Sequence, residues 1–170
     1  MAWTPPKTWL YNEMVTYTDL NTYVRDNLEF LYNGTQRVET LAIRNQTAAI
    51  NLTGVGWHNI NSGGLEKIDI GEVFSGDQLE IVSAARVSVN WSLAIRIYNG
   101  TTLLKQFSGA STSANETMAL PIYWLSDGTY TDVQVYMAIY LSATPGQVKA
   151  ATAPELYGWL SCKHERPPVI

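Results

Sequence analysis

The sequence predicts a mainly β chain: an antiparallel two-sheet sandwich of jelly-roll type, preceded by an extended arm and one α-helix. Three observations predict it. From Ala48 onward, short apolar runs are divided by turn signals such as Asn61-Ser62-Gly63-Gly64, Ser75-Gly76-Asp77, Asn99-Gly100, Ser126-Asp127-Gly128 and Thr144-Pro145-Gly146. Those runs alternate apolar and polar residues, so each strand offers one face to a core and one to solvent. One stretch near the N-terminus instead repeats its apolar residues every three or four positions, the period of a helix.

Residues 1–15 read as an extended arm. Pro5-Pro6 forbids helix there and favours polyproline-like geometry. Trp3 and Trp9 are large apolar groups on this arm. They either fold back on the core or anchor on a neighbouring subunit, where buried Trp is a typical hot spot.

Residues 16–34 read as the helix. Thr16 is placed as N-cap, accepting from the amide of Asp19, and the Asp19 carboxylate suits the unpaired amides of a first turn. Val15 and Leu20 have the spacing of a hydrophobic staple. Leu20, Val24, Leu28 and Leu31 form one apolar stripe, and Asn33-Gly34 ends it. A helix of this length is marginal alone in water, so its stripe must dock on something.

Residues 35–47 read as a linker, in which Val38, Leu41 and Ile43 prolong the helix or begin a strand. Residues 48–162 read as the sandwich. Leu79, Ile81, Val87, Val89, Trp91, Leu93, Ile95 and Ile97 share odd positions from Gln78 to Tyr98, with Glu80, Arg86, Asn90, Ser92 and Arg96 on even ones. That run is too long for one ordinary strand, so a break is expected near Arg86-Val87-Ser88. Asn99-Gly100 predicts a hairpin to Thr101–Phe107. Thr117–Leu125, Thr131–Leu141 and Leu156–Cys162 complete a set of about eight or nine strands, which suits a jelly roll. Residues 163–170 read as a tail, since Pro167-Pro168 rules out regular structure there.

Tyr136 and Tyr140 lie on the outer face of Thr131–Leu141, and Tyr157 and Trp159 alternate in Leu156–Cys162. These four form a candidate subunit or ligand face. Three readings stay open for them: subunit packing, stacking on a sugar ring, or cover by loops.

Composition excludes several classes of function. Charged residues are 15% of the chain, low against about 25% in typical domains, which suggests surface covered by partners. The Lys and Arg are scattered singly and the net charge is −4, so no nucleic-acid partner is expected. No apolar run approaches the length of a membrane span, and no signal peptide is expected from Met-Ala-Trp-Thr-Pro-Pro. A single Cys, Cys162, excludes an intrachain disulfide. Cys162 and His164 are two apart, but two ligands do not make a zinc site. No phosphate loop, dinucleotide fingerprint or serine elbow occurs. The chain is therefore expected to have no catalytic residues, no metal and no cofactor.

The stretch from Trp9 to Leu31 resembles a short N-terminal motif of small structural proteins of tailed bacteriophages. Trp9, Glu13, Val15, Thr16, Asp19, Leu20, Asn21, Arg25, Asp26, Asn27, Leu28 and Leu31 match it. Asn12 departs from the usual Gly, and Tyr17 from a usual small residue. The resemblance implies a virion protein, made in the host cytoplasm and assembled with other capsid or tail proteins. Its work would be capsid decoration or a tail-associated role in the fibre or tail tip. The alternative is a module that binds carbohydrate or a host receptor, with a host surface glycan as partner. Packing of virion jelly rolls about a threefold axis further implies a homotrimer.

Overall fold

A computed structural model describes residues 16, 18, 38–149 and 158–166. The chain divides into two units, Met1–Val38 with Pro167–Ile170, and Glu39–Arg166. The described part is mainly β. Its strands are β1 (Val38–Asn45), β2 (Ile50–Leu52), β3 (Gly56–Asn59), β4 (Ile68–Val73), β5 (Gln78–Arg86), β6 (Trp91–Asn99), β7 (Thr102–Thr112), β8 (Thr117–Leu125), β9 (Tyr130–Leu141), β10 (Gly146–Val148) and β11 (Trp159–Arg166).

The first sheet has the order β1-β11-β5-β8. The second has the order β3-β9-β6-β7, and β4 pairs with β9 beyond β3. Strands β10 and β2 form a small separate pair. Every pair with a described register is antiparallel.

One apolar core joins the two larger sheets. Leu79, Ile81, Leu160, Cys162 and Trp124 reach it from the first, and Leu93, Ile95, Ile97, Val135, Met137 and Ile139 from the second. Strand β9 alternates as its sequence predicts, with Val133, Val135, Met137, Ile139 and Leu141 all fully buried. Burial of each such side chain contributes about 1.5–3 kcal/mol.

The long run from Gln78 to Tyr98 breaks where expected: β5 ends at Arg86 and β6 begins at Trp91. Between them Val87 bridges Val148, and the Ser88 amide donates to Gln147 O at 3.0 Å. The break carries the chain from the first sheet to the second. The Asn99-Gly100 hairpin also forms. Asn99 pairs with Thr102, and Gly100 takes a φ of 57° at the first central position of the two-residue loop. A positive φ there is the reason for glycine.

Three boundaries differ from the sequence reading. The stretch read as a linker, 35–47, contains β1, an edge strand of the first sheet. Its apolar pattern misleads, because the small Ala42 packs on the core while Leu41 and Ile43 face outward. The stretch read as a tail begins too early, because β11 continues to Arg166. Lys163, His164 and Glu165 pair with Glu80, Leu79 and Gln78, so the charged end of β11 is still sheet. The β body therefore runs 38–166 rather than 48–162. Strand β11 also starts at Trp159 rather than at the expected Leu156, with Gly158 at its entrance. Gly158 has a φ of 100°, its carbonyl accepts from the Gln46 amide at 2.7 Å, and a Cβ there would collide with Gln46 Oε1.

The arm with Trp3, Trp9 and Val15, and the stripe with Asp19, Leu20, Val24, Leu28 and Leu31, lie outside the described residues, as does Tyr157. Thr16 and Thr18 are exposed, and Thr18 is helical.

Candidate functional site: two outer sheet faces

With one face of each sheet on the core, the chemistry available to a partner lies on the two outer faces. The second sheet builds the richer one. Strand β9 sends Gln134, Tyr136, Ala138 and Tyr140 outward, and antiparallel register sets their neighbours. Tyr140 lies between Trp57 and Ser92, Ala138 between Asn59 and Ala94, Tyr136 beside Arg96, and Gln134 between Asp69 and Tyr98. Ala94 and Ala138 are fully buried although they face outward, so longer neighbours roof them.

Those neighbours hold one another. Trp57 and Tyr140 meet edge to face at 5.5 Å between ring centres, and Tyr98 and Tyr136 at 5.4 Å. Such pairs contribute about 0.5–1.5 kcal/mol beyond their burial. The Arg96 guanidinium lies 5.1 Å from the centre of Trp57. Its Nε donates to Gln106 Oε1 at 2.7 Å and its Nη1 to Asn59 Oδ1 at 2.8 Å. Asn59 Nδ2 donates to the Tyr98 hydroxyl at 3.0 Å, and the Tyr136 hydroxyl to Gln134 Oε1 at 3.1 Å. The result is a pre-formed face of flat aromatic rings and planar polar side chains around the Arg96 guanidinium. Groups of these two kinds recognise a ring with an apolar face and polar edges.

The outer face of the first sheet is of another kind. Leu41 (63% exposed) and Ile43 (50%) project from β1, and Tyr123 (58%) and Leu125 (55%) from β8. Those strands are the two edges of the sheet. Between them Lys163 and Glu165 of β11 pair at 2.6 Å, and exposed Glu80 of β5 lies across from Lys163.

The four residues read as one candidate face therefore divide. Tyr136 and Tyr140 stand together on the second sheet. Trp159, half-buried and paired with Ala84, belongs to the first, because β11 inserts between β1 and β5. Sequence reasoning missed Trp57, Asn59 and Tyr98, and gave Arg96 only a place on a polar strand face. The even positions of β6 carried a signal for Arg96 and Tyr98. The short β3 has no periodicity to mark Trp57.

One polar cluster is buried. Asp77 accepts from the Phe74 amide at 3.0 Å, from His164 Nε2 at 2.9 Å and from Arg166 Nε at 3.1 Å, and Arg166 lies over the Phe74 ring at 4.2 Å. Burial pushes the Asp77 pKa up, but the bonds from Phe74, His164 and Arg166 outweigh it and leave the carboxyl below its ordinary value. This arrangement engages His164 with Asp77. The Cys162 thiol is buried, and desolvation pushes its pKa up to about 12, which makes it a poor nucleophile or ligand. Among the described residues no three His, Cys, Asp or Glu side chains gather to hold a metal ion, and no helix is long and apolar enough to cross a membrane.

No family model matches the sequence, and no curated protein matches it. Among solved structures, one of the infectious bursal disease virus Gx strain is similar at a TM-score of 0.39 and 8% identity. The similarity covers 78% of this chain and 37% of that one.

Proposed function

We propose that the chain is a non-enzymatic structural component of a tailed-phage virion. It is made in the host cytoplasm and assembles on the particle as a capsid decoration protein or as part of the tail fibre or tip. The observation that carries the reading is the outer face of the first sheet, where Leu41, Ile43, Tyr123 and Leu125 are all exposed. Leu41 and Ile43 gather on the β1 edge and Tyr123 and Leu125 on the β8 edge, and apolar groups collected at an edge fit a surface that a partner covers. The motif residues Asp19-Leu20-Asn21 and Arg25-Asp26-Asn27-Leu28 supply the virion part of the reading.

Strand order supports a jelly roll. With β3 and β4 counted as one position beside β9, and the small β2–β10 pair set aside, the sheets read 1-8-3-6 and 2-7-4-5. A single antiparallel ribbon of pairs 1/8, 2/7, 3/6 and 4/5, folded over on itself, produces that order.

The partner proposed for the apolar face is a second copy of the chain. Its two apolar pairs occupy opposite edges of one sheet. A contact of one copy's β1 edge with the next copy's β8 edge is head-to-tail, and such contacts form a ring where the rotation between copies closes. A homotrimer is the ring proposed here. Sedimentation of Leu41→Asp and Leu125→Asp tests it, since each substitution puts an unpaired carboxylate into the same contact. Both variants are expected to be monomers with melting temperatures close to the monomer limit of the parent. Trimers of undiminished affinity in both would remove this face from the assembly.

The aromatic face of the second sheet favours a second activity, binding of carbohydrate on the host surface. The two are compatible in one protein, with one sheet for assembly and the other for ligand.

A further inference from the structure

We propose that the outer face of the second sheet binds an acidic glycan, a saccharide whose carboxylate pairs with Arg96 and whose ring rests on the aromatic row of Trp57, Tyr140 and Tyr136. The proposal rests on the carbohydrate reading of this face and adds the charge of the ligand.

Arg96 is the source of that charge. Its two hydrogen-bond partners are the neutral amides of Gln106 and Asn59, and its third neighbour is the Trp57 ring. It pairs with no carboxylate among the described residues. A guanidinium has five N–H donors in a rigid fork, and two are used among the described residues. The unused donors match a carboxylate, and the charge-assisted bonds they make are roughly twice as strong as neutral ones. The existing bonds hold the fork in place, so little ordering is lost on binding.

The rest of the face sets the ligand's orientation. Its acidic side chains lie at the Gln134 end. Asp69 pairs with Lys67 at 2.8 Å, and the Asp132 carboxylate accepts from Gln134 Nε2 at 3.1 Å. Lys67 offsets Asp69 there, while Arg96 faces no carboxylate among the described residues, so an anion is drawn toward Arg96. Tyr136 beside Arg96 and Tyr140 beside Trp57 offer half-buried rings, and Asn59 and Gln106 offer exposed amides that bond hydroxyls. A neutral sugar would use the rings and amides and leave the guanidinium unmatched. A uronate or sialate residue uses all three.

The test is calorimetric titration of the full chain with oligogalacturonate and with α2,8-linked oligosialate. Cello-oligosaccharides and malto-oligosaccharides of equal length serve as neutral probes, and acetate as a bare anion. An acidic oligosaccharide is expected to bind at least tenfold more tightly than any neutral one, with affinity falling as salt rises. Arg96→Gln should remove that preference. Gln106→Glu is the second variant, because it keeps Arg96 and the fold but places a carboxylate on the guanidinium. It should abolish acidic binding without lowering the melting temperature. Tyr136→Ala should weaken every sugar that binds. Neutral sugars bound as tightly as acidic ones, and lost in Tyr136→Ala, would overturn the acidic assignment while the carbohydrate reading stood. Binding of no sugar, or sugar binding no better than acetate, would overturn both. Loss of the trimer in Gln106→Glu without any sugar binding would assign the face to protein packing instead.

Discussion

Asp77 is a carboxylate inside the body of the protein, and its three bonds decide its cost. Each hydrogen bond to a charged group contributes about 1.5–3 kcal/mol, whereas a buried carboxylate without partners would protonate or unfold its surroundings. The sign of the pH dependence follows from its pKa, which lies below the ordinary value. Stability from Asp77 is fully present above the unfolded-state pKa of about 3.9, and is lost as pH falls through the lower folded value. Asp77→Asn should therefore cost about 2 kcal/mol at neutral pH. The gap between variant and parent should narrow in thermal melts taken below about pH 4. A gap that stayed constant down to pH 3 would count against the charged bonds. Little of this cluster was legible in the sequence. His164 lies 87 positions from Asp77, and the run Lys163-His164-Glu165-Arg166 reads as a hydrophilic tail. Only the pairing of β11 with β5 brings the two ends together.

Strands were legible where alternation and burial agree. Thr117–Leu125 is β8 with the same bounds, and β9 begins one residue before the predicted start. Agreement fails in β1, where the residue facing the core is an alanine and the leucine and isoleucine face outward. A pattern reader places the large residues inside, and so misplaces the strand. The aromatic face was half legible for a related reason. Alternation alone put Tyr136 and Tyr140 on one side of β9. Their partners come from distant strands: Trp57 lies 83 positions before Tyr140 and Arg96 lies 40 before Tyr136, an adjacency that only sheet order creates. The amphipathic stretch at Leu20, Val24, Leu28 and Leu31 lies outside the described residues, and its burial is a prediction from sequence. Leu28→Asp should lower stability by about 2 kcal/mol or more, or block assembly, since it exchanges an apolar contact for an unpaired carboxylate. Melting and sedimentation both like those of the parent would remove the stripe from any interface.

At the scale of the molecule, the two sheets divide the proposed work. Apolar side chains at the two edges of the first sheet suit permanent contact, and a polar aromatic face whose Arg96 pairs with no carboxylate among the described residues suits a ligand that comes and goes. A ring assembly keeps these apart, because closing β1 edges on β8 edges uses the first sheet and leaves the second facing out. Stable interfaces usually bury about 1,200–2,000 Å², more than four side chains supply, so further surface must take part. The arm from Trp3 to Val15 is the proposed source. An extended chain spans up to about 3.3–3.6 Å per residue, which lets the arm reach a neighbouring subunit. Its two tryptophans are of the type that dominates interface energetics. Light scattering on the full chain and on one starting at Thr16 tests this proposal. The full chain should be trimeric at micromolar concentration and the shortened chain should dissociate at the same concentration. A full-length monomer there would leave assembly dependent on a pre-existing particle surface. A shortened chain that stayed trimeric would place the whole contact on the first sheet and take the arm out of it.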